Sequence, residues 1–180
     1  MAKKKSILGS LLAVVFFILC LPIIIPVSIF FILLSLIEST FLILLVRINW
    51  IPRGKNTLFV YSQSPVWKDY IEKNIIPKIS SQSIIMDWSE RKSFNEWSLE
   101  YGVFKFWTGV RKHTIKSKAK WSGTDYNPIA IIFKPWWSPK VIRFWDAFKD
   151  YKHGHGQKLQ ELENELFNLL NIPQVQRELK

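Results

Sequence analysis

The sequence predicts an α/β domain carried on an apolar, membrane-inserting helical hairpin. Three observations predict it. First, the forty residues Ile7–Val46 hold one charged side chain, Glu38. Second, short runs of strand-forming residues recur after that stretch, at Thr57–Tyr61, Ser83–Trp88, Ile129–Phe133 and Val141–Trp145. Such runs bounded by Ser, Pro, Asn and Gly read as strands. Third, the segments between them carry apolar residues at helical spacing.

The apolar stretch is too long for a signal peptide, whose apolar core is roughly 7–15 residues. As one straight helix it would reach about 60 Å at ~1.5 Å per residue, against a hydrocarbon layer of ~30 Å. Two spans fit that length. Pro22 and Pro26 stand near its middle, and proline removes a backbone donor and clashes with the preceding turn. The expected anchor is therefore residues 1–52, with helices over about 7–21 and 27–46. The turn between them is wholly apolar, so a re-entrant hairpin is an alternative to two full spans. Lys3, Lys4 and Lys5 precede the pair, and Arg47, Arg53 and Lys55 follow it. Cations on both flanks predict both termini on the cytoplasmic side of an inner or plasma membrane. Trp50 falls where an interfacial aromatic is expected. Glu38, with Ser39 and Thr40, is read as a protonated acid hydrogen-bonded to a neighbouring helix, with a proton or ion site, or a contact with another membrane protein, as the alternatives.

Residues 53–180 form the expected soluble domain, with 21 Lys+Arg against 13 Asp+Glu. That length supports a hydrophobic core, and all nine Trp lie after the apolar stretch. Thr57–Tyr61 gives a first strand. Ser64 and Pro65 then suit a helix N-cap and first turn. Trp67, Tyr70, Ile71, Ile75 and Ile79 follow at helical spacing, with Pro77 expected to kink or end the helix. Ser83–Trp88 is a second strand, parallel to the first. Phe94, Trp97, Tyr101, Phe104 and Trp107 predict a helix with an aromatic face, interrupted at Gly102 and closed near Gly109. Ile129–Phe133 and Val141–Trp145 predict a hairpin around Pro135–Pro139. Leu159, Leu162, Leu166, Leu169 and Leu170 mark a last helix ended by Pro173.

The order β-α-β-α-β-β-α, with Pro128 just before the third strand, resembles the thioredoxin-like fold over roughly Thr57–Leu170. The resemblance implies a redox Cys-x-x-Cys motif at the end of the first strand. Those positions here read Ser62-Gln-Ser-Pro-Val-Trp67. Pro128 stands where the family's cis-proline would stand. Cys20 is the only cysteine and lies in the apolar stretch. The resemblance therefore implies a member without disulfide chemistry, whose Ser62–Pro65 edge, with Pro128, receives extended peptides.

Candidate ligand-binding residues are Ser62, Ser64, Pro65, Asp87 and Pro128. Helix N-termini attract anions, and strand C-terminal ends are common site positions in open α/β sheets. No nucleophile–base–orienter set stands out, and no glycine-rich phosphate loop is present. His153-Gly-His155 beside Asp150 falls short of the three or four ligands zinc takes and reads as a solvated loop; no metal or cofactor is implied. Between Glu100 and Asp125 there is no acid, whereas Lys105, Arg111, Lys112, Lys116, Lys118 and Lys120 are basic. Such clusters near a membrane segment suit anionic lipid headgroups, and the tether makes lipid a nearer anion than nucleic acid. Trp136 and Trp137, between Lys134 and Lys140, suit a hairpin tip at the membrane interface. The expected class is a membrane-anchored, non-redox binding or scaffold domain. The alternative is an enzyme acting on a membrane-associated substrate at the Ser62–Pro65 and Pro128 edge.

Overall fold

The computed structural model describes residues 7–91, 93, 95–109, 127–134 and 138–173. The basic run Arg111, Lys112, Lys116, Lys118 and Lys120, and the pair Trp136 and Trp137, lie outside the described residues.

The apolar stretch forms one helix, α1, Ile7–Asn49, with Pro22 and Pro26 inside it. The expected break at the prolines is corrected: α1 is continuous. The two prolines stand four residues apart, so Pro26 lacks the very N–H that would bond Pro22, and each removes one donor only. Leu21–Pro26 holds no Gly, Asn or Asp to form a turn. In an apolar setting every remaining backbone group is better satisfied in a helix than in a bend. Placing both termini on one side rested on that turn, which α1 does not contain. By length and composition α1 is able to cross a membrane.

The chain divides into two compact units, residues 1–41 and 42–180. In the first, side chains from Ile23 to Ile37 and Phe41 are largely exposed. Ser39 and Thr40 both donate their hydroxyls to the Leu36 carbonyl, at 3.0 and 2.7 Å. This back-bonding satisfies polar groups among apolar neighbours without an outside partner.

The second unit is a mixed α/β domain, and it begins before the boundary expected at residue 52. Leu42, Val46 and Trp50 are buried in it. Their four-residue steps put them on one helical stripe. A 3-10 turn, Ile51–Arg53, and left-handed Gly54 (φ 72°) lead out of the helix. Strand β1, Thr57–Tyr61, is buried along its whole length, as a strand covered on both faces must be.

A helical run follows as α2, Lys68–Tyr70, a π-helical segment, Ile71–Ile75, and α3, Ile76–Ile79. The wide turn lies just before Pro77, where the ring displaces the regular backbone bonds. Strand β2 is Ser83–Asp87, and a 3-10 turn, Trp88–Glu90, follows it. Helix α4 spans Leu99–Thr108 with Ser98 as N-cap and Gly109 as a left-handed C-cap. Phe94 lies outside the described residues, and Trp97 precedes the helix rather than joining its aromatic face. Gly102 does not interrupt α4; a Cβ there would lie 3.5 Å from Leu42 Cδ2, so Gly102 sits directly against α1.

Strands β3, Ile129–Ile132, and β4, Lys140–Arg143, complete the sheet. Trp145, expected in the fourth strand, instead begins α5, Trp145–Lys152, and α6 spans Gln157–Leu169. The sheet order is β2-β1-β3-β4. β1 pairs parallel with β2 and antiparallel with β3, and β3 pairs antiparallel with β4.

Alternation of side chains across the sheet makes two cores. Phe59, Tyr61, Ala130, Ile132 and Ile142 pack with Ile71, Ile75, Ile79, Phe148, Leu159 and Leu166. On the opposite face, Leu58, Val60, Ile129 and Ile131 pack with Val46, Trp50, Tyr101 and Phe104. The last turns of α1 are thus a structural helix of the domain.

Candidate functional site

The sheet brings three polar segments to one edge. Tyr61 and Asp87 end β1 and β2 side by side. Because β3 runs the other way, its first residues arrive at the same end, with Val60 paired to Ile129. Ser62–Ser64, Asp87–Ser89 and Asn127–Pro128 therefore meet where the parallel strands end. The Asn127–Pro128 peptide is cis.

These groups bond to one another. The Ser62 hydroxyl donates to Asn127 Oδ1 at 2.9 Å. Gln63 Nε2 donates to Asp87 Oδ2 at 2.7 Å, and the Gln63 backbone N–H donates to Ser89 Oγ at 2.8 Å. Asp87 Oδ1 accepts the Ser89 N–H at 2.9 Å, capping the 3-10 turn. Below, the buried Trp67 indole N–H donates to the Ser62 carbonyl at 3.0 Å, and its ring packs edge-on against Trp145 with centroids 5.1 Å apart. The Pro128 carbonyl accepts the Phe144 N–H at 2.9 Å.

The Ser64 carbonyl accepts from Trp67 and Lys68 at 3.2 and 2.9 Å, but the N-cap position of α2 is Trp67, with no side-chain cap, and not the expected Ser64. The helix begins at Lys68 rather than at Pro65, which sits exposed in the preceding turn. Of the five residues expected at this edge, Ser62, Asp87 and Pro128 meet in the linked segments, with Ser64 and Pro65 adjoining. Sequence reasoning did not single out Gln63, which ties β1 to β2, or Asn127, the buried acceptor for Ser62. Their signal was modest: polar residues directly after or before a buried strand.

The chemistry available is positional. Ser62 donates to an amide oxygen, not to a base, so nothing in that contact activates its hydroxyl. Both oxygens of the Asp87 carboxylate are engaged. Gln63, Pro65, Ser89 and Glu90 remain exposed along the rim. Beneath it, burial first, and then the 3.1 Å hydrogen bond to Glu72 with that group's charge, push the Tyr61 phenol up to about 12. Tyr61 is a hydrogen-bonded neutral support at any physiological pH.

Other expected positions lie elsewhere. Trp50 is 2 % exposed and packs edge-on against Phe133, with centroids 5.8 Å apart. The expectation that it meets headgroups is corrected; the domain core takes up its ring. The backbone N–H groups of His153 and His155 both bond the Asp150 carbonyl, at 3.0 and 2.9 Å, and Lys158 approaches the Asp150 carboxylate at 3.9 Å. Among the described residues no three His, Cys, Asp or Glu side chains gather as a metal set. An open cavity of about 720 Å³ lies beside Lys134, Glu161, Asn164 and Asn168. It is at the other end of β3 from Pro128, away from the linked edge.

Comparison with family models, with curated proteins and with solved structures gives no match.

Proposed function

We propose that the chain is a membrane-tethered, non-redox binding domain of thioredoxin-like type, holding an extended polypeptide at the Ser62–Pro65, Asp87 and Pro128 edge. The observation that carries this reading is the set of cross-links at that edge. Ser62 to Asn127 and Gln63 to Asp87 and Ser89 fix three segments at the mouth of a mixed sheet, which is what a preorganised binding rim requires. The element order supports the likeness to the thioredoxin-like fold. Cys20, the sole cysteine, lies in α1 and outside the domain, which supports a role without thiol exchange.

The tether is α1, whose exposed apolar length suits a bilayer. Arg47, Arg53 and Lys55 in the first residues of the domain, and the domain's overall cationic excess, support a cytoplasmic face with anionic headgroups as a second partner. The enzyme reading has less support, since Ser62 and Asp87 are bonded to partners that hold them rather than activate them.

Site-specific photocrosslinking in native membranes tests the reading. A photoreactive residue at exposed Gln63 is expected to give a discrete polypeptide adduct that Asn127→Ala weakens, while the same probe at Lys149 on α5 gives none. Equal adducts at both positions, or none at Gln63, overturn a binding role for this edge.

A further inference from the structure

Trp97 is 94 % exposed, an extreme value for the side chain with the largest apolar surface. The loop that carries it is not loose. The Trp97 N–H donates to Asn95 Oδ1 at 2.9 Å, and the Ser98 N–H to the Asn95 carbonyl at 3.1 Å. Ser98 Oγ then accepts from Tyr101 N at 3.2 Å as the N-cap of α4. An Asx turn joined to a helix cap thus holds an indole out into the surroundings.

The location of that loop follows from contacts within the domain. Phe133 lies at the start of β1, its N–H bonded to the Asn56 carbonyl at 2.8 Å. Trp50 and Trp107 both pack on Phe133, with centroids 5.8 and 5.4 Å away. Leu42, eight residues and about 12 Å before Trp50 along the helix, meets Gly102 of α4. The last turns of α1 and α4 therefore run side by side in the same direction, away from the C-terminal ends of β1 and β2. The first turn of α4, with Trp97 ahead of it, lies at the Leu42 end, and so does the Ser62–Asp87 edge. Leu42 is the first residue of this unit.

We infer that Trp97 is the domain's interfacial anchor, its indole seated among lipid headgroups at the boundary with the acyl chains. The inference rests on the proposal that α1 is a membrane tether. Interfacial Trp is favoured because its ring is amphipathic, with an apolar body and one polar N–H. Anchoring there turns the Ser62–Asp87 edge toward the bilayer surface. The polypeptide it holds is then one that lies at the membrane, such as the juxtamembrane stretch of another membrane protein.

The test uses the full chain, grown with 5-fluorotryptophan and reconstituted in phosphatidylcholine–phosphatidylglycerol nanodiscs. The Trp97 fluorine resonance is identified as the one lost in Trp97→Phe. It is expected to broaden with headgroup-proximal doxyl lipid and to keep its linewidth with a water-soluble gadolinium chelate. The resonances of buried Trp50 and Trp67 should respond to neither. Broadening by the chelate without broadening by doxyl lipid overturns the anchor while leaving the tether intact. Carbonate extraction of native membranes separates the two failures, because release of the full chain by carbonate overturns the tether reading and the anchor with it.

Discussion

Residues 23–41 and residues 42–50 are both predominantly apolar and belong to one run of helical chain, yet they satisfy their apolar side chains differently. In the first stretch Phe30, Phe31, Ile32, Leu36 and Ile37 are all more than half exposed around the helix. In the second only one stripe is covered, Leu42, Val46 and Trp50, while Leu44 and Ile48 face outward. A helix apolar on every side asks for an apolar surround, whereas a helix buried on one stripe has a partner surface. The comparison teaches that hydropathy alone marks what must leave water. Spacing and the neighbouring sheet decide what receives it.

The largest effect that would break the comparison is a truncation. A chain starting at Leu42 is expected to fold as a compact unit. A chain starting at Arg53 lacks three core side chains and the helix that covers Leu58, Val60 and Ile131. It should lose its cooperative thermal transition and its near-ultraviolet circular dichroism. A cooperative transition of equal midpoint in both chains would show that the last turns of α1 are dispensable.

Single substitutions sharpen the same point. Trp50→Ala removes a fully buried indole and should cost about 3–5 kcal/mol, measured by denaturant unfolding of residues 42–180. Ile48→Ala, two residues earlier and 62 % exposed, should change stability by no more than about 0.5 kcal/mol.

A third prediction concerns the core on the other face of the sheet. The Tyr61 phenol is raised to about 12 from an ordinary value of 10.0. Between those values the unfolded chain has released its proton and the folded chain has kept it, so rising pH favours unfolding. Stability should hold below about pH 10 and then fall by roughly 2–3 kcal/mol toward pH 12. Tyr61→Phe should remove that slope; an unchanged slope in the variant would assign it to other groups.

The smallest effect is at the rim. Ser62→Ala and Asn127→Ala should each destabilise modestly, with a coupling of about 1 kcal/mol in a double-mutant cycle. Full additivity would mean that the 2.9 Å contact does not hold the edge together.

Much of this fold was legible in the sequence because its strands are short, apolar and bounded by turn residues. Thr57–Tyr61 and Ser83–Asp87 emerge almost as read. What was not legible has physical causes. Prolines that break helices in water are tolerated where the competing turn is itself apolar, so α1 runs through Pro22 and Pro26. Val141–Trp145 looked like one strand because apolar and aromatic residues suit either element, and the switch at Phe144 comes from packing against Phe59 and Phe148. Trp97 matched the helical spacing of Tyr101 and Phe104, but Ser98 caps the helix after it and turns it outward. Asp87 was legible from a strand end, Ser62 from the turn that enters a helix and Pro128 from the resemblance to the thioredoxin-like fold, while Gln63 and Asn127 needed the register that brings those ends together.

The division of α1 at residues 41 and 42 is tested most directly by cysteine accessibility. Single cysteines are placed along positions 23–50 of the full chain carrying Cys20→Ala, and native membranes are treated with an impermeant maleimide. Positions through 41 should react only after the bilayer is dissolved, positions 44 and 48 should react at once, and position 46 should react only when the domain is unfolded. Prompt labelling throughout 23–41 in intact membranes, or of position 46 in the folded protein, would contradict the account.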